Sequence, residues 1–441
     1  MTKNNYLKTL VWIALAVVGF SCEDKEDGPR VQPVDLSLHV VYSSDFNGQS
    51  ADGVNVTLTN VTSQQVYDGI TDASGQLLLE GVPSGTYDII ARKSYTASEF
   101  EAFAGVSTDQ EEVVFNASQS GFAITTATSA MTLTLESGRV GDLVIKQVYN
   151  SGSDRVEGAL FRDQFVEIYN NSNDTIYVDG LYVMGALGKT SEGTGAGYLS
   201  NGQYDWAQSI GMAATDDANE NYLYAKWIYQ FPGTGEDYPV YPGKSIIVAQ
   251  TAVNHKAPFT GNKGEAVTVI NPDLTVDLSG ADFEVYLAED GGSPLESDIN
   301  NPDVPNMNNI FSFGRDFILD NPGREAVAIF RSETDVLSFP AYATPNVTEI
   351  KSTTKLYFQI PADLILDAVE IQPSPTNQVP RKLATSLDAT YTYVPGGSYS
   401  SQSVIRKTSK TFGDRVVLMD TNNSEADFGY FEVANPRGFL Q

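Results

Sequence analysis

Residues 142–185 read DLVIKQVYNSGSDRVEGALFRDQFVEIYNNSNDTIYVDGLYVMG, and the architecture of the larger part of the chain is legible there. In Gln164–Tyr169, Val166 and Ile168 fall on one face of a strand, and Phe165, Glu167 and Tyr169 on the other. Asn170–Asp174 is a run of turn formers, because Asn and Asp tolerate positive φ and satisfy their own backbone groups. Alternation resumes at Ile176-Tyr177-Val178, and Asp179-Gly180 turns the chain into Leu181-Tyr182-Val183. The block predicts β-strands joined by polar turns.

Working outward, the same patterning fills the rest. Val34–Val40 alternates with apolar residues at even numbers, which places His39 outward beside Asp35 and Ser37. Val54–Leu58 alternates likewise. Ala326–Phe330, Lys355–Ile360, Leu366–Ile371 and Val416–Met419 all read as strands, and helical periodicity is scarce. The expectation is an all-β protein.

The first residues carry a different signal. Lys3 and Lys8 precede an apolar run, Leu10–Phe20, that is too short to span a bilayer. It ends in Val18-Gly19-Phe20-Ser21-Cys22, which resembles a bacterial lipoprotein signal with its lipobox. The resemblance implies a signal peptide over 1–21, cleavage before Cys22 and its lipidation, hence attachment to a membrane. Glu23, Asp24, Glu26 and Asp27 then form an acidic tether within 22–33 that looks like the surface-export signal of some Gram-negative lipoproteins. The expected location is the outer membrane, facing the exterior.

Composition narrows the partners. The chain of 441 residues carries 27 Lys+Arg against 56 Asp+Glu, a net charge of −29 that becomes about −31 without residues 1–21. Such a surface repels phosphate backbones, so nucleic acid is excluded as a natural partner. Cys22 is the sole cysteine, so no disulfide is expected. At 41% hydrophobic and 19% charged, the composition is that of a globular chain.

Two modules are expected. Gly69-Ile70-Thr71-Asp72-Ala73-Ser74-Gly75, the strand after it, and Gly81-Val82-Pro83-Ser84-Gly85-Thr86-Tyr87-Asp88-Ile89 resemble the transthyretin-like, carboxypeptidase-regulatory-like β-sandwich. That resemblance covers 34–136 and implies a spacer or docking module. Glu136–Gly141 is the expected boundary. In 138–441, Leu143–Ile145, Phe165–Asn171, Asp179–Tyr182, Pro242–Val248, Ser403–Arg406 and Asn435–Gly438 resemble the lamin-tail type of immunoglobulin-like sandwich, expanded by long insertions. The whole arrangement also looks like an uncharacterised lipoprotein family, domain of unknown function 4876, which brings an architecture but no activity.

The main insertion, about 186–237, is Gly-rich first and aromatic later. Tyr204, Trp206, Tyr222, Tyr224 and Trp227 make it a candidate ligand or partner surface, with His255 in a polar loop beyond it. The competing structural reading is strand core, since Leu223, Ala225, Trp227, Tyr229 and Phe231 alternate.

Chemistry is sparse. His39 and His255 are the two histidines, too few for a zinc site with the thiol lipidated, and no Gly-x-Ser-x-Gly elbow accompanies them. Asp216-Asp217 and Glu236-Asp237 flank the insertion as carboxylate pairs worth checking for glycosidase geometry. Calcium suits acidic loops, and Asp420–Glu425 offers oxygens at alternate positions. It lacks the EF-hand glycine and distal glutamate, so a solvated hairpin turn is expected instead. No catalytic residue is assigned. The leading expectation is a non-enzymatic accessory or ligand-capture subunit of an outer-membrane (TonB-dependent) β-barrel transporter. The alternatives are a glycan-binding or glycan-cleaving lipoprotein and a structural or adhesive envelope protein.

Overall fold

The structure, a computed structural model, describes residues 33–43, 46, 48–104, 112–137, 143–172, 174–213, 217–288, 295–412 and 415–440. The signal peptide, Cys22, the acidic tether up to residue 32, Gly138, Gly141 and Asp216 lie outside the described residues. The fold is an all-β sandwich architecture, with strands in several sheets.

The first seven strands are β1 (Pro33–Tyr42), β2 (Asn55–Asn60), β3 (Val66–Ile70), β4 (Gln76–Pro83), β5 (Gly85–Thr96), β6 (Glu112–Ile124) and β7 (Ala130–Ser137). They hydrogen-bond in the order β3-β2-β5-β6-β7-β1-β4, with β1 and β7 parallel. Just two residue pairs, Phe115–Ser137 and Asn116–Glu136, join β6 to β7. The sheet folds over there, so Leu38 and Val40 of β1 share one core with Leu58 of β2, Ile89 of β5 and Phe115 of β6. The Asp72–Gly75 turn works through its side chain. Asp72 Oδ1 accepts hydrogen bonds from the Ser74 and Gln76 amides at 2.8 and 3.0 Å. Gly75 sits at φ +73°, with a would-be Cβ 2.5 Å from the Val40 carbonyl oxygen.

One helix in this region, α1 (Ala97–Ala104), escapes the all-β expectation. Its signature is in the sequence all the same: Thr96 and Glu99 form a capping box, with the Thr96 amide donating to Glu99 Oε2 at 2.8 Å. Eight residues are too few to hold a helix alone. Phe100 and Phe103 fix it against Tyr42, Phe46 and Phe115.

Among the described residues the rest of the chain builds two large facing sheets, with three two-stranded ones beside them. One runs Ala341–Tyr342, Tyr357–Pro361, Tyr222–Gln230, Tyr182–Ala186, Glu325–Phe330, Ile365–Ile371, with Asn308–Ser312 also paired to Tyr222–Gln230. The other runs Phe283–Glu284, Ser245–Ala249, Phe165–Asn170, Leu143–Tyr149, Ser403–Arg406, Phe428–Phe431. Val148, Val166, Ile168, Val183, Tyr229, Ile329 and Val404 meet between them in one core.

Both outer faces are covered too. Met184, Ala186, Ala326 and Phe330 pack under Val336, Ile360 and Leu383, while Tyr149, Phe165 and Ile247 pack under Val276, Leu278 and Val304. Strands such as Leu143–Tyr149 and Phe165–Asn170 are therefore buried at every position, although their alternation suggested one open face. Burial of the second face forces its charges into pairs. Lys146 Nζ lies 2.9 Å from Glu167 Oε1, and Arg406 reaches Asp367 at 2.6 Å and Asp420 at 3.0 Å.

The alternation across Leu223–Phe231 breaks at a β-bulge. Gly185 pairs with Trp227 and Ala186 with Ala225, which leaves Lys226 as the extra residue. The one-residue shift flips side chains between faces. Leu223 and Ala225 join the outer cluster, whereas Trp227, Tyr229 and Phe231 enter the core between the sheets.

Candidate functional site

A cleft of about 1630 Å³ lies between the β1–β7 sandwich and the larger one. Its first wall comes from β5, β6 and β7, through residues such as Asp88, Ser118, Phe122 and Thr132. Its second wall comes from the aromatic insertion and the segment after Ile371, through Tyr204, Tyr222, Arg381 and Lys382. Clefts at such junctions are favoured places for ligands, and this one exceeds the roughly 300–1,000 Å³ of an ordinary small-molecule pocket.

The aromatic wall is built on a stack. The Trp206 and Tyr224 rings lie 3.5 Å apart, centroid to centroid, with planes 8° apart. Tyr224 is held by its hydroxyl, which donates to the Ala218 carbonyl at 2.9 Å and accepts from Gln359 Nε2 at 3.0 Å. Asn219 fixes the loop by accepting from the Trp206 amide at 3.0 Å and donating to the Tyr204 carbonyl at 2.8 Å. Tyr204 packs on Trp206 at 5.5 Å and on Tyr198 at 5.7 Å. Tyr204 and Tyr222 are half-buried at the edge of this cluster. Burial raises the Tyr204 hydroxyl pKa, with Tyr198 and Tyr357 adding to the effect.

The structure thus divides the residues expected to form one aromatic surface. Tyr204, Trp206, Tyr222 and Tyr224 all line the cleft, but Trp206 and Tyr224 are its buried floor, 4% and 2% exposed. Trp227 is removed from any surface: the bulge turns it into the inter-sheet core, where its Nε1–H donates to Glu325 Oε1 at 3.3 Å. His255 lies away from the cleft surface and takes a structural place in its loop. It is fully buried, sits edge-on to Phe259, and contacts the Thr251 carbonyl through Nε2 at 3.2 Å. Burial pushes its pKa down to about 4, so at neutral pH it is an uncharged loop pin. His39 meets Ser50 Oγ at 3.1 Å on the strand face expected for it.

The candidate ion and acid sites resolve into local structure. Asp420 accepts from the buried Arg406, and Asn423 caps the short helix Ser424–Asp427 by accepting from the Ala426 amide. Asp420–Glu425 is therefore a largely buried, capped turn, and the solvated hairpin is corrected. Among the described residues no group of three or more His, Cys, Asp or Glu side chains stands where a metal could be held. Asp217 accepts from Asn221 at 2.8 Å and Asp237 from Thr234 at 2.8 Å, both as turn supports.

Electrostatically the cleft is acidic. Lys382 is consumed by buried Glu370 at 3.3 Å, with both side chains essentially inaccessible. Arg381 gives its Nη groups to the Ala389 and Asp388 carbonyls and to Ser118 Oγ at 3.4 Å. The exposed charges left on the lining are Glu192, Glu220 and Asp363, with half-buried Asp88 opposite. Buried carboxyls elsewhere serve as tethers. Glu284, raised to about 7 by burial, accepts the Ala252 and Asn301 amides; Asp316, raised to about 6, accepts from Gln250 and Ser297.

The junction residues were missed in the sequence. Asn116 donates to the Thr421 carbonyl, Ser118 meets Thr385 at 3.2 Å, and Arg381 reaches Ser118. Asn116 and Ser118 sit at alternate positions on a strand whose pattern looks ordinary, so no local signal marks them. Each hydrophobic cluster among the described residues stays within one module, and these hydrogen bonds join the two.

Residues 241–435 match the family described as "Protein of unknown function (DUF4876)", which is the family resemblance the sequence carries. A crystal structure of a DUF4876 family protein from Bacteroides thetaiotaomicron is 24% identical, with 90% of this chain and 95% of that one covered and a TM-score of 0.50. This chain shares that fold. The 5-hydroxyisourate hydrolase of Klebsiella pneumoniae is 22% identical over 26% of this chain and 98% of that one, but its TM-score of 0.15 carries nothing over. No curated protein matches the chain.

Proposed function

We propose that this protein is a non-catalytic lipoprotein, anchored through Cys22 on the outer face of the outer membrane, that captures a ligand in the cleft between its two β modules. Its partner is an outer-membrane β-barrel transporter, to which it presents or admits the ligand. The observation that supports this reading is the cleft itself, with walls from both modules and aromatic rings on one of them. Anchoring confines the protein beside the barrel, and the high effective concentration lets a weak interface suffice.

The test is purification from native outer membranes in mild detergent, with a tag after Gln441 and mass spectrometry of what accompanies the protein. A stoichiometric β-barrel that survives moderate salt is the expected result. Recovery of the lipoprotein alone, even after cross-linking, overturns the accessory role.

A further inference from the structure

We infer that the cleft takes a neutral oligosaccharide, with Tyr204 and Tyr222 as the rings on which sugar faces rest; this rests on the ligand-capture reading above. Three features of the cleft converge. The first is charge. Of the two cations on its lining among the described residues, Lys382 is paired with Glu370, while Arg381 gives its Nη groups to carbonyls and Ser118 and leaves its buried Nε without a partner. What faces the ligand includes the exposed carboxylates Glu192, Glu220 and Asp363. Among the described residues the exposed charges of the lining are carboxylates, against half-buried Arg381 and a Lys189 Nζ 6.0 Å from the Tyr204 ring centroid, so a phosphate, sulfate or uronate ligand would meet net repulsion.

The second is shape. Tyr204 is half-buried and held by Trp206 at 5.5 Å and Tyr198 at 5.7 Å, and Tyr222 is half-buried against the same cluster, so the Tyr204 ring is fixed before any ligand arrives. Rigid aromatic rings give contact area at low entropic cost, and their faces suit the apolar C–H face of a pyranose. The third is what surrounds the rings. Thr86 and Thr132 put neutral donors and acceptors on exposed positions of the same lining, beside Asn201 and Asn221, whose amides already bond Gln203 and Asp217. Rings plus neutral hydrogen-bonding groups match a hydroxylated, uncharged molecule. At about 1630 Å³ the cleft has room for several sugar units, not one.

The experiment is calorimetric titration of the full-length, detergent-solubilised protein with three oligosaccharide series: neutral hexose and pentose oligomers, anionic oligogalacturonates, and cationic deacetylated chito-oligosaccharides. The expected result is that a neutral series binds, the anionic one binds more weakly, and Tyr204→Ala and Tyr222→Ala each weaken binding by on the order of tenfold while the melting temperature of the partly exposed variants holds. Failure of all three series, preference for a charged series, or binding indifferent to both tyrosine variants overturns the saccharide inference. Thr132→Trp, on the exposed opposite wall, obstructs the cleft for any ligand and separates the two readings. If it changes the barrel or small molecules that co-purify from membranes while no sugar binds, the sugar inference alone falls. If a folded Thr132→Trp changes neither sugar binding nor co-purification, the cleft reading falls with it.

Discussion

The Trp206 ring stacks on Tyr224 with centroids 3.5 Å apart and planes 8° apart, and this pair joins the loop around Trp206 to the Tyr222–Gln230 strand. It makes the cleft wall an extension of the folded core. Trp206→Ala should cost about 3–5 kcal/mol, because a large buried ring leaves a cavity that its neighbours cannot refill. Tyr204→Ala should cost much less, since that ring is only half-buried. Thermal melts of the two variants check the ranking. Equal losses would mean the insertion has no buried floor.

Gly185 lies directly across from Trp227, and a Cβ there would stand 2.5 Å from the indole Nε1 and Cε2. Gly185→Ala should destabilise by about 1–3 kcal/mol through overpacking. The double variant with Trp227→Phe should recover part of that loss despite losing indole contacts. Urea denaturation of both variants measures it, and additive losses would refute the clash.

Arg406 is 1% exposed, within 2.6 Å of Asp367 and 3.0 Å of Asp420, with Asp427 at 3.6 Å. Arg406→Met should cost about 3–5 kcal/mol, because it strands buried carboxylates. Burial, with the Asp420 charge, raises the Asp367 pKa against the pull of Arg406. The damage should therefore ease in acid, where the stranded carboxyls protonate. Asp367→Asn added to Arg406→Met should restore stability at pH 8 more than at pH 5.

Burial raises the carboxyl pKa of Asp163, Asp316 and Asp388 to about 6 and that of Glu284 to about 7. Each holds a proton in the fold that the unfolded chain has already released. Its contribution is full below the unfolded value near 4 and is lost as pH rises through 6 to 7. His255 acts oppositely: depressed to about 4, it contributes fully above its unfolded value of 6.5 and fails as pH falls through 4. Four carboxyls outweigh one imidazole, so stability should decline from pH 5 to pH 7.5. Asp316→Asn should flatten that slope in chemical denaturation.

The contacts across the module junction run through Asn116, Ser118, Thr385 and Arg381, with no shared hydrophobic cluster among the described residues. Polar junctions permit relative motion. Arg381→Ala should loosen the modules while leaving each core intact, and calorimetry should resolve the melt into two transitions. A single cooperative transition in the variant would show that the junction does not rest on this clasp.

Much of this was readable in advance. Strands at Ile365–Ile371, Glu325–Phe330 and Ser403–Arg406 follow directly from apolar runs between turn residues. The α1 cap was readable too, in Thr96 and Glu99, but eight residues between strands give little periodicity to notice. The aromatic insertion was recognisable as a site candidate, yet which of its rings reach solvent was not. One bulged residue, Lys226, sets the direction of Trp227, and a bulge exists only relative to the partner strand.

By itself the sequence determined the all-β class, the turns and the acidic character of the surface, because alternation, turn chemistry and charge are properties of neighbouring residues or of plain composition. The tertiary structure decided which faces are buried, where the charges pair and where the cleft lies. Those depend on groups brought together from far along the chain, as Asn116 is with Thr421, 305 positions on. No local pattern records such a meeting, because it is selected by the packing free energy of the whole fold.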